Sequence, residues 1–87
     1  MLYFHQMTLE DKRRLNERKF PTWENLPNGS RKYWLELRGK HGWKARYVKV
    51  VDAMEETAEF YQEIYNENGN LTEVHEKFPV DKGHRKL

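Results

Sequence analysis

Apolar and polar side chains alternate with a period of two through much of the chain. In the first such run, Tyr33, Leu35 and Leu37 alternate with Trp34 and Glu36. This alternation is typical of a strand with one buried face. The runs lie at residues 32–38, 43–51, 57–65 and 71–78. The pattern therefore predicts four successive strands.

Two local sequence features predict irregularities and turns in this sheet. In the second run the apolar set changes from odd to even positions after Tyr47, which predicts a β-bulge near that residue. Between the third and fourth runs, Asn68-Gly69 accommodates the positive φ of a tight turn and predicts a hairpin. The alternation predicts a core made mainly of Tyr33, Leu35, Leu37, Val48, Val50, Phe60, Ile64 and Val74.

The strongest helix signal begins at Thr8. Its hydroxyl is a capping group, Glu10 and Asp11 follow in the first turn, and Arg18 and Lys19 come near the end. Acids at the start and bases at the end complement the helix dipole. Few apolar residues are available on this segment, so we expect a short helix lying on a sheet face or edge.

Residues 21–30 contain two prolines and an Asn-Gly pair, which predicts an irregular connection pinned by Trp23. The predicted fold class is α+β: an N-terminal helix followed by a four-stranded antiparallel β-meander. At 87 residues the chain is one small domain, 1–87. Residues 1–7 are expected to be flexible or vector-derived, because 1–6 resemble the remnant of an engineered protease site with Met7 as the natural start.

Composition excludes several classes of protein. With no cysteine, the chain has neither disulfides nor a thiolate zinc site, and a reducing cytoplasm is the expected location. No apolar stretch approaches the roughly 20 residues that cross a bilayer, so we expect no membrane contact. Three Trp, five Tyr and four Phe argue against a disordered chain.

The net charge of +2 conceals three segments of opposite sign. Residues 31–49 carry seven Lys or Arg and one acid, residues 52–76 carry eight acids and no Lys or Arg, and residues 77–87 return to a net +3. If the first two segments form adjacent strands, their charges pair across the sheet. Alternatively, the cations lie on an open face that meets phosphates. Both interpretations remain open.

Familiar catalytic fingerprints are missing from the sequence. There is no G-x-G-x-x-G, no phosphate-binding G-x-x-x-x-G-K and no H-E-x-x-H. Ser30, the sole serine, follows an Asn-Gly pair in an ordinary loop, which disfavours a covalent serine mechanism. No pattern calls for a cofactor.

The last predicted strand and the tail combine two histidines, two carboxylates and several cations. The predicted catalytic residues are His75, Glu76, Lys82, His84 and Arg85. Metal-independent RNA cleavage needs a base for the 2′-hydroxyl, an acid for the leaving oxygen and cations for the charged intermediate. His75 or Glu76 would be the base and His84 the acid, while Lys82 and Arg85 supply positive charge. A polar, solvated tail is the simpler alternative.

The same segment offers His75, Glu76, Asp81 and His84 as metal ligands. The neighbouring lysines and arginine would repel a cation, and no ligand spacing is diagnostic. We therefore assign no metal site.

Aromatic and basic residues are interleaved between residues 31 and 47. In binders of single-stranded nucleic acids, such rings stack on bases while the cations contact phosphates. The predicted RNA-binding residues are Arg31, Lys32, Trp34, Arg38, Lys44 and Arg46. Most of the rings are needed for the core. Trp34 is the best exception, because it falls on the charged side of its strand.

Two resemblances bear on function. The segment Asn66 to Leu71, preceded by Tyr65, is similar to the hairpin unit of the tyrosine-rich repeats in bacterial Rhs-type toxin shells. The helix-then-meander plan with a terminal His, Lys and Arg cluster resembles the small ribonuclease toxins of the RelE, barnase and colicin group. This second resemblance implies a bacterial or archaeal, RNA-directed toxin controlled by a cognate antitoxin-like protein.

A different class of function fits the same sequence. The chain would then be a non-enzymatic interaction module, such as an antitoxin, an immunity protein or a small subunit, whose basic and acidic segments meet complementary surfaces. Self-association into a homo-oligomer is compatible with either class. RNA cleavage in EDTA that disappears when His84 is replaced would distinguish the two.

Overall fold

In the computed structural model, which describes residues 7–87, the chain forms one α-helix and one six-stranded antiparallel sheet. The elements are α1 (Leu9–Lys19), β1 (Thr22–Asn25), β2 (Arg31–Arg38), β3 (Lys44–Val51), β4 (Thr57–Tyr65), β5 (Leu71–Phe78) and β6 (Gly83–Lys86). The strands lie in sequence order across the sheet. The α+β class is confirmed, but the strand number is six rather than four. Of the expectation for residues 1–7, all but Met7 lies outside the described residues.

The two additional strands are the short edges of the sheet. β1 lies in the segment predicted to be irregular and pairs with β2, with Trp23 opposite Tyr33. β6 lies in the tail and pairs with β5, with His84 opposite His75. Each has four residues, too few for a periodic pattern. We attribute these strands to pairing with a neighbour, a tertiary effect that a local pattern does not record.

The start of α1 matches its sequence signal. Thr8 Oγ1 accepts a hydrogen bond from the Asp11 amide at 3.1 Å, and the Asp11 carboxylate accepts one from the Thr8 amide at 3.2 Å. This reciprocal capping satisfies two of the unpaired amides at the helix start. The predicted N-terminal helix is confirmed.

The helix lies against one face of the sheet, here called the helix-side face. Phe20, at the end of α1, contacts the ring of Tyr33 with centroids 5.8 Å apart. From the sheet, the ammonium group of Lys49 donates a hydrogen bond to Asn16 Oδ1 at 2.8 Å. Tyr33 and Val51 are fully buried beneath this contact. The main packed core therefore lies at the helix end of the sheet.

A buried carboxylate joins the helix to the turn between β3 and β4. Glu55 accepts hydrogen bonds from the hydroxyl of Tyr33 and from Asn16 Nδ2, the latter at 3.0 Å. Arg13 Nε lies 3.4 Å from the same carboxylate. Burial raises the pKa of Tyr33 to about 12, and the Glu55 hydrogen bond acts in the same direction. Glu55 has a φ of 65°, so the turn holds this side chain in a backbone region that non-glycine residues seldom occupy.

The predicted core is only partly right. Tyr33 and Val48 are fully buried, but Leu37 is 49% exposed. The short helix covers the beginning of β2 and leaves the end of that strand open, which explains the exposure of Leu37. Phe20 and Val51, which the alternation did not select, are buried instead.

The predicted bulge near Tyr47 is wrong. β2 and β3 pair in continuous register past that residue, and the register of β3 with β4 shifts only between Val50 and Val51. Val48 lies on the other face of the sheet, between its cross-strand neighbours Trp34 and Tyr61, and is fully buried there. The change from odd to even apolar positions therefore marks a strand that carries a buried residue on each face, Val48 on one and Val51 on the other.

The hairpin at Asn68-Gly69 is confirmed. Gly69 has a φ of +79°, and the Asn66 amide bonds the Asn70 carbonyl at 2.9 Å. Asn66 Oδ1 accepts from the amides of Asn68 and Asn70, both at 3.0 Å. These side-chain bonds replace backbone partners inside the turn.

Candidate active site and nucleic-acid interface

The sheet brings the two histidines of the tail segment into contact. His75 on β5 and His84 on β6 are directly opposite each other, and their ring centroids are 4.4 Å apart at an angle of 53°. The His75 side chain is 16% exposed and that of His84 is 48% exposed. Both rings lie on the helix-side face, at the far end of the sheet from α1. Solvent and ligands can therefore reach this pair.

A carboxylate orients one of the two rings. Asp81 Oδ1 lies 2.6 Å from His75 Nε2 and also accepts the Gly83 amide at 2.9 Å. The Gly83 amide, followed by His75, lowers the pKa of Asp81, so this group is an anion at neutral pH. When Nε2 donates its proton to Asp81, the lone pair of His75 is on Nδ1. This arrangement suits His75 to accept a proton.

The second ring has a weaker carboxylate neighbour. Glu73 Oε1 lies 3.8 Å from His84 Nδ1, too far for a hydrogen bond but close enough to attract a protonated ring. Lys86 is directly opposite Glu73 on the same face. His84 thus lies beside one carboxylate and one cation.

The histidine pair ends a continuous row of side chains across the helix-side face. Leu35, Tyr47, Gln62, His75 and His84 are successive cross-strand neighbours on β2 to β6. Gln62 Nε2 donates to the Tyr47 hydroxyl at 3.1 Å. Polar groups therefore extend from the pair towards the centre of the sheet.

A lysine above two aromatic rings lies next to this row. Lys77 Nζ is 5.2 Å from the ring centre of Tyr47 and 6.0 Å from that of Phe60, within cation–π range. The two rings stack on each other with centroids 6.4 Å apart. An anionic, planar ligand would meet a cation and aromatic surface at one place here.

The remaining predicted catalytic residues do not join the histidines. Glu76 and Arg85 follow His75 and His84 by one position, and alternation along the strands places them on the opposite face. Lys82 lies in the loop before β6 and pairs with Glu76 at 3.3 Å. The cluster seen in the sequence is divided between two faces of the sheet.

The predicted RNA-binding residues are also divided. Lys32, Trp34, Arg38, Lys44 and Arg46 share the opposite face, on β2 and β3. Arg31 belongs to the helix-side face, where its 11% exposed side chain binds Glu17 at 2.8 Å and Asn25 at 3.0 Å. The guanidinium of Arg31 is thus committed to the protein itself.

Charge pairing across the sheet accounts for part of the cationic segment. β3 and β4 are adjacent and antiparallel, with Arg46 opposite Glu63, which is the strand arrangement that the charge-pairing interpretation requires. Arg46 donates to Glu36, and Lys44 Nζ lies 3.6 Å from the same carboxylate. The hydrogen bond from Arg46 is the largest cause of the lowered pKa of Glu36. These cations are not wholly available to phosphates.

Sequence reasoning missed Lys77 and Lys86 as neighbours of the histidines. Each follows a histidine by two positions, and residues two apart on a strand share a face. That spacing was a usable signal for Lys77, which lies in a predicted strand, but not for Lys86, whose strand β6 was not predicted. The role of Asp81 had no comparable signal, because it depends on how the loop between β5 and β6 returns to His75.

The described residues provide neither a metal-binding cluster nor a membrane-spanning helix. Among residues 7–87, no group of three or more His, Asp or Glu side chains is placed to hold a metal ion. Within the same range no helix is long and apolar enough to cross a membrane. No protein-family model, curated protein or solved structure matches this chain.

Proposed function

We propose that this protein is a small RNA-directed toxin-type enzyme, a metal-independent endoribonuclease that acts at the helix-side face. The observation that carries the proposal is the contact of His75 with His84, one ring oriented by Asp81, beside Lys77. Two imidazoles of different surroundings are a suitable acid–base pair for chemistry near neutral pH.

The proposed reaction is an internal transesterification. His75 Nδ1 removes the proton of a ribose 2′-hydroxyl, and the resulting oxygen attacks the adjacent phosphorus. The bond from phosphorus to the 5′-oxygen breaks, and that oxygen takes a proton from His84. The products are a 2′,3′-cyclic phosphate and a free 5′-hydroxyl, with no net change of protons.

The ring separation constrains where the phosphate lies. Centroids 4.4 Å apart leave no room for a phosphate between the rings, so it lies over their exposed edges. Lys77 and Lys86 flank the pair on the same face and would stabilise the charged intermediate. The mechanism needs His75 neutral and His84 protonated, so the cleavage rate should fall on both sides of a pH optimum.

The experiment is cleavage of single-stranded RNA by the pure protein in EDTA. We expect cyclic-phosphate products, and we expect His84→Ala to reduce the cleavage rate at least 100-fold while RNA affinity changes less than about threefold. His41→Asn is the matched control, because His41 lies in the turn between β2 and β3 and asparagine tolerates its φ of 59°. Equal loss in both variants, or cleavage that survives His84→Ala, would contradict the proposal.

A second variant set decides which face binds RNA. The helix-side proposal expects Lys77→Ala with Lys86→Ala to weaken binding and flatten its salt dependence. The sequence-based prediction instead assigns that effect to Arg38, Lys44 and Arg46 on the opposite face. If neutralising those three weakens binding and the lysine pair does not, the helix-side site is wrong.

A specific observation also supports the alternative of a non-enzymatic interaction module. Large apolar side chains are exposed at several places, among them Trp23, Trp43, Met54 and Val80. Met7 and Leu15, both exposed, adjoin around one depression on α1, and such contiguous apolar surface is typical of protein contacts. An antitoxin-like partner or a second copy of the chain would cover such surface. Absence of both RNA cleavage and RNA binding would favour this alternative.

A further inference from the structure

An apolar groove opens on the helix-side face between the end of α1 and strands β3 to β5. It measures about 400 Å³, within the range of small-molecule sites. Its lining residues are Lys19, Phe20, Lys49, Thr57, Phe60 and Phe78. Phe20 is buried and Phe60 packs against the core, so these walls are fixed, whereas Phe78 is 43% exposed.

The third aromatic wall depends on an irregularity in the sheet. The register of β4 with β5 shifts between Phe60 and Tyr61, and this shift places Phe78 opposite Phe60. Lys77, the preceding residue, also projects onto the helix-side face, over the rings of Tyr47 and Phe60. The bulge therefore adds Phe78 to the groove while Lys77 remains beside the histidine row.

The charged residues that line the groove are both lysines, Lys19 and Lys49. Its lining includes two lysines and no Asp or Glu. Lys49 is partly buried, which lowers its pKa, and the charge of Lys19 acts in the same direction, while Glu55 and Glu56 oppose it. The ammonium of Lys49 has the neutral oxygen of Asn16 as its hydrogen-bond acceptor. An anion between the two lysines would relieve their repulsion.

The groove is continuous with the candidate active site. Phe60 forms its wall and also stacks on Tyr47, the member of the side-chain row next to Gln62. Lys77 lies above both rings. A chain of nucleotides crossing from the histidine pair to the groove would meet aromatic surface and cations along the whole path.

Resting on the proposed function, we infer that this groove is the base-binding subsite of the enzyme: an unpaired nucleobase stacks on the aromatic wall formed by Phe60 and Phe78, and the adjoining phosphate lies between Lys19 and Lys49. The aromatic walls provide stacking to any base, and the lysines provide contacts to the backbone. The subsite therefore selects single-stranded RNA over duplex, in which the bases are stacked and inaccessible.

The test uses a fluorescein-labelled 2′-O-methyl oligonucleotide. This probe lacks the 2′-hydroxyl nucleophile, so binding is measured separately from cleavage. We expect Phe78→Ala to weaken binding about five- to tenfold. Lys19→Ala should lower the salt slope by about 0.7, the value for one lost single-strand phosphate contact. The exposed positions of both residues leave the fold intact, which thermal melting followed by circular dichroism checks.

Two matched controls lie outside the groove. Leu37→Ala removes an exposed apolar side chain from the same face, and Arg18→Ala removes a cation next to Lys19 in the sequence. Both should bind within twofold of the wild type. If Phe78→Ala and Lys19→Ala also bind within twofold while RNA is still cleaved, the subsite is wrong and the ribonuclease proposal stands.

Two other outcomes would contradict the ribonuclease proposal. If the probe binds and loses affinity in Phe78→Ala, but no RNA is cleaved, the groove inference holds and the ribonuclease proposal fails. If the probe does not bind and no RNA is cleaved, both proposals fail.

Discussion

The two ends of the sheet use polar side chains in different ways. At the helix end, Tyr33, Asn16 and Glu55 are buried, and Tyr33 and Asn16 both donate hydrogen bonds to the Glu55 carboxylate. At the other end, His75 and His84 touch each other outside the area that α1 covers, and part of each side chain is exposed. Both ends are built on the same antiparallel scaffold. The presence or absence of α1 above a polar cluster therefore decides whether the cluster stabilises the fold or can meet a ligand.

The largest expected effect contrasts two aromatic truncations. Tyr33→Ala removes a fully buried ring and should lower the free energy of unfolding by about 3 to 5 kcal/mol. Phe78→Ala removes a ring that is 43% exposed and should lower the free energy of unfolding much less. Urea denaturation of both variants provides the measurement. Equal losses would show that the two ends are not distinguished by burial.

A pH experiment tests how much the neutral Tyr33 hydroxyl stabilises the helix end of the sheet. The pKa of Tyr33 is raised from 10.0 to about 12, so its neutral form stabilises the fold fully below pH 10. That contribution, on the order of 2 to 3 kcal/mol for a shift of this size, is lost as the pH rises towards 12. Tyr33→Phe lacks the titrating hydroxyl.

We therefore expect the stability difference between the wild type and Tyr33→Phe to shrink from pH 10 to pH 12. Denaturation curves of both proteins at several alkaline pH values give the difference directly. Other tyrosines and lysines titrate in both proteins and cancel in the comparison. A difference that stays constant over this range would contradict the assigned role of the Tyr33 hydroxyl.

The smallest expected effect compares two turns. Gly69 and Glu55 occupy corresponding positions in the β4–β5 and β3–β4 turns, with φ values of 79° and 65°. A Cβ atom added at Gly69 meets no atom within 4 Å, so the only penalty of Gly69→Val is backbone strain. We expect this strain to lower the free energy of unfolding by about 1 to 2 kcal/mol. Thermal melting measures this cost, and an unchanged melting temperature would contradict it.

The matching change at the other turn should behave differently. Glu55→Gly relieves the backbone but removes the carboxylate that Tyr33 and Asn16 use, leaving buried polar groups unpaired. We expect this variant to be destabilised despite its more favourable backbone. If it is stabilised, the buried network is not what holds α1 to the sheet.

The sequence was most informative where periodicity is long. The alternation located β4 and β5 at residues 57–65 and 71–78, and Asn68-Gly69 located the hairpin between them. It failed for β1 and β6, whose four residues pair only because a longer strand lies alongside. Leu37 shows a further limit, since its alternation is regular but α1 is too short to cover it.

The sequence identified residues of the candidate site better than it placed them on the faces of the sheet. The tail cluster drew attention to His75 and His84, which the structure brings together. It also included Glu76 and Arg85, which strand alternation turns to the other face. The separation of Glu76 from His75 followed already from the predicted strand at residues 71–78, whereas that of Arg85 from His84 could not be derived until β6 was known to be a strand, because a flexible tail has no faces.

The sequential strand order has a consequence for how the molecule folds. Every strand pair closes through a local hairpin, and hairpins form within about 1 to 10 μs. Topologies dominated by such local pairings fold faster than those that must join distant segments. The distant contacts are those of α1, such as Asn16 with Glu55 across 39 residues. The sheet can therefore assemble by successive addition of hairpins, and β6, at its edge, can detach and return without dismantling the strands before it.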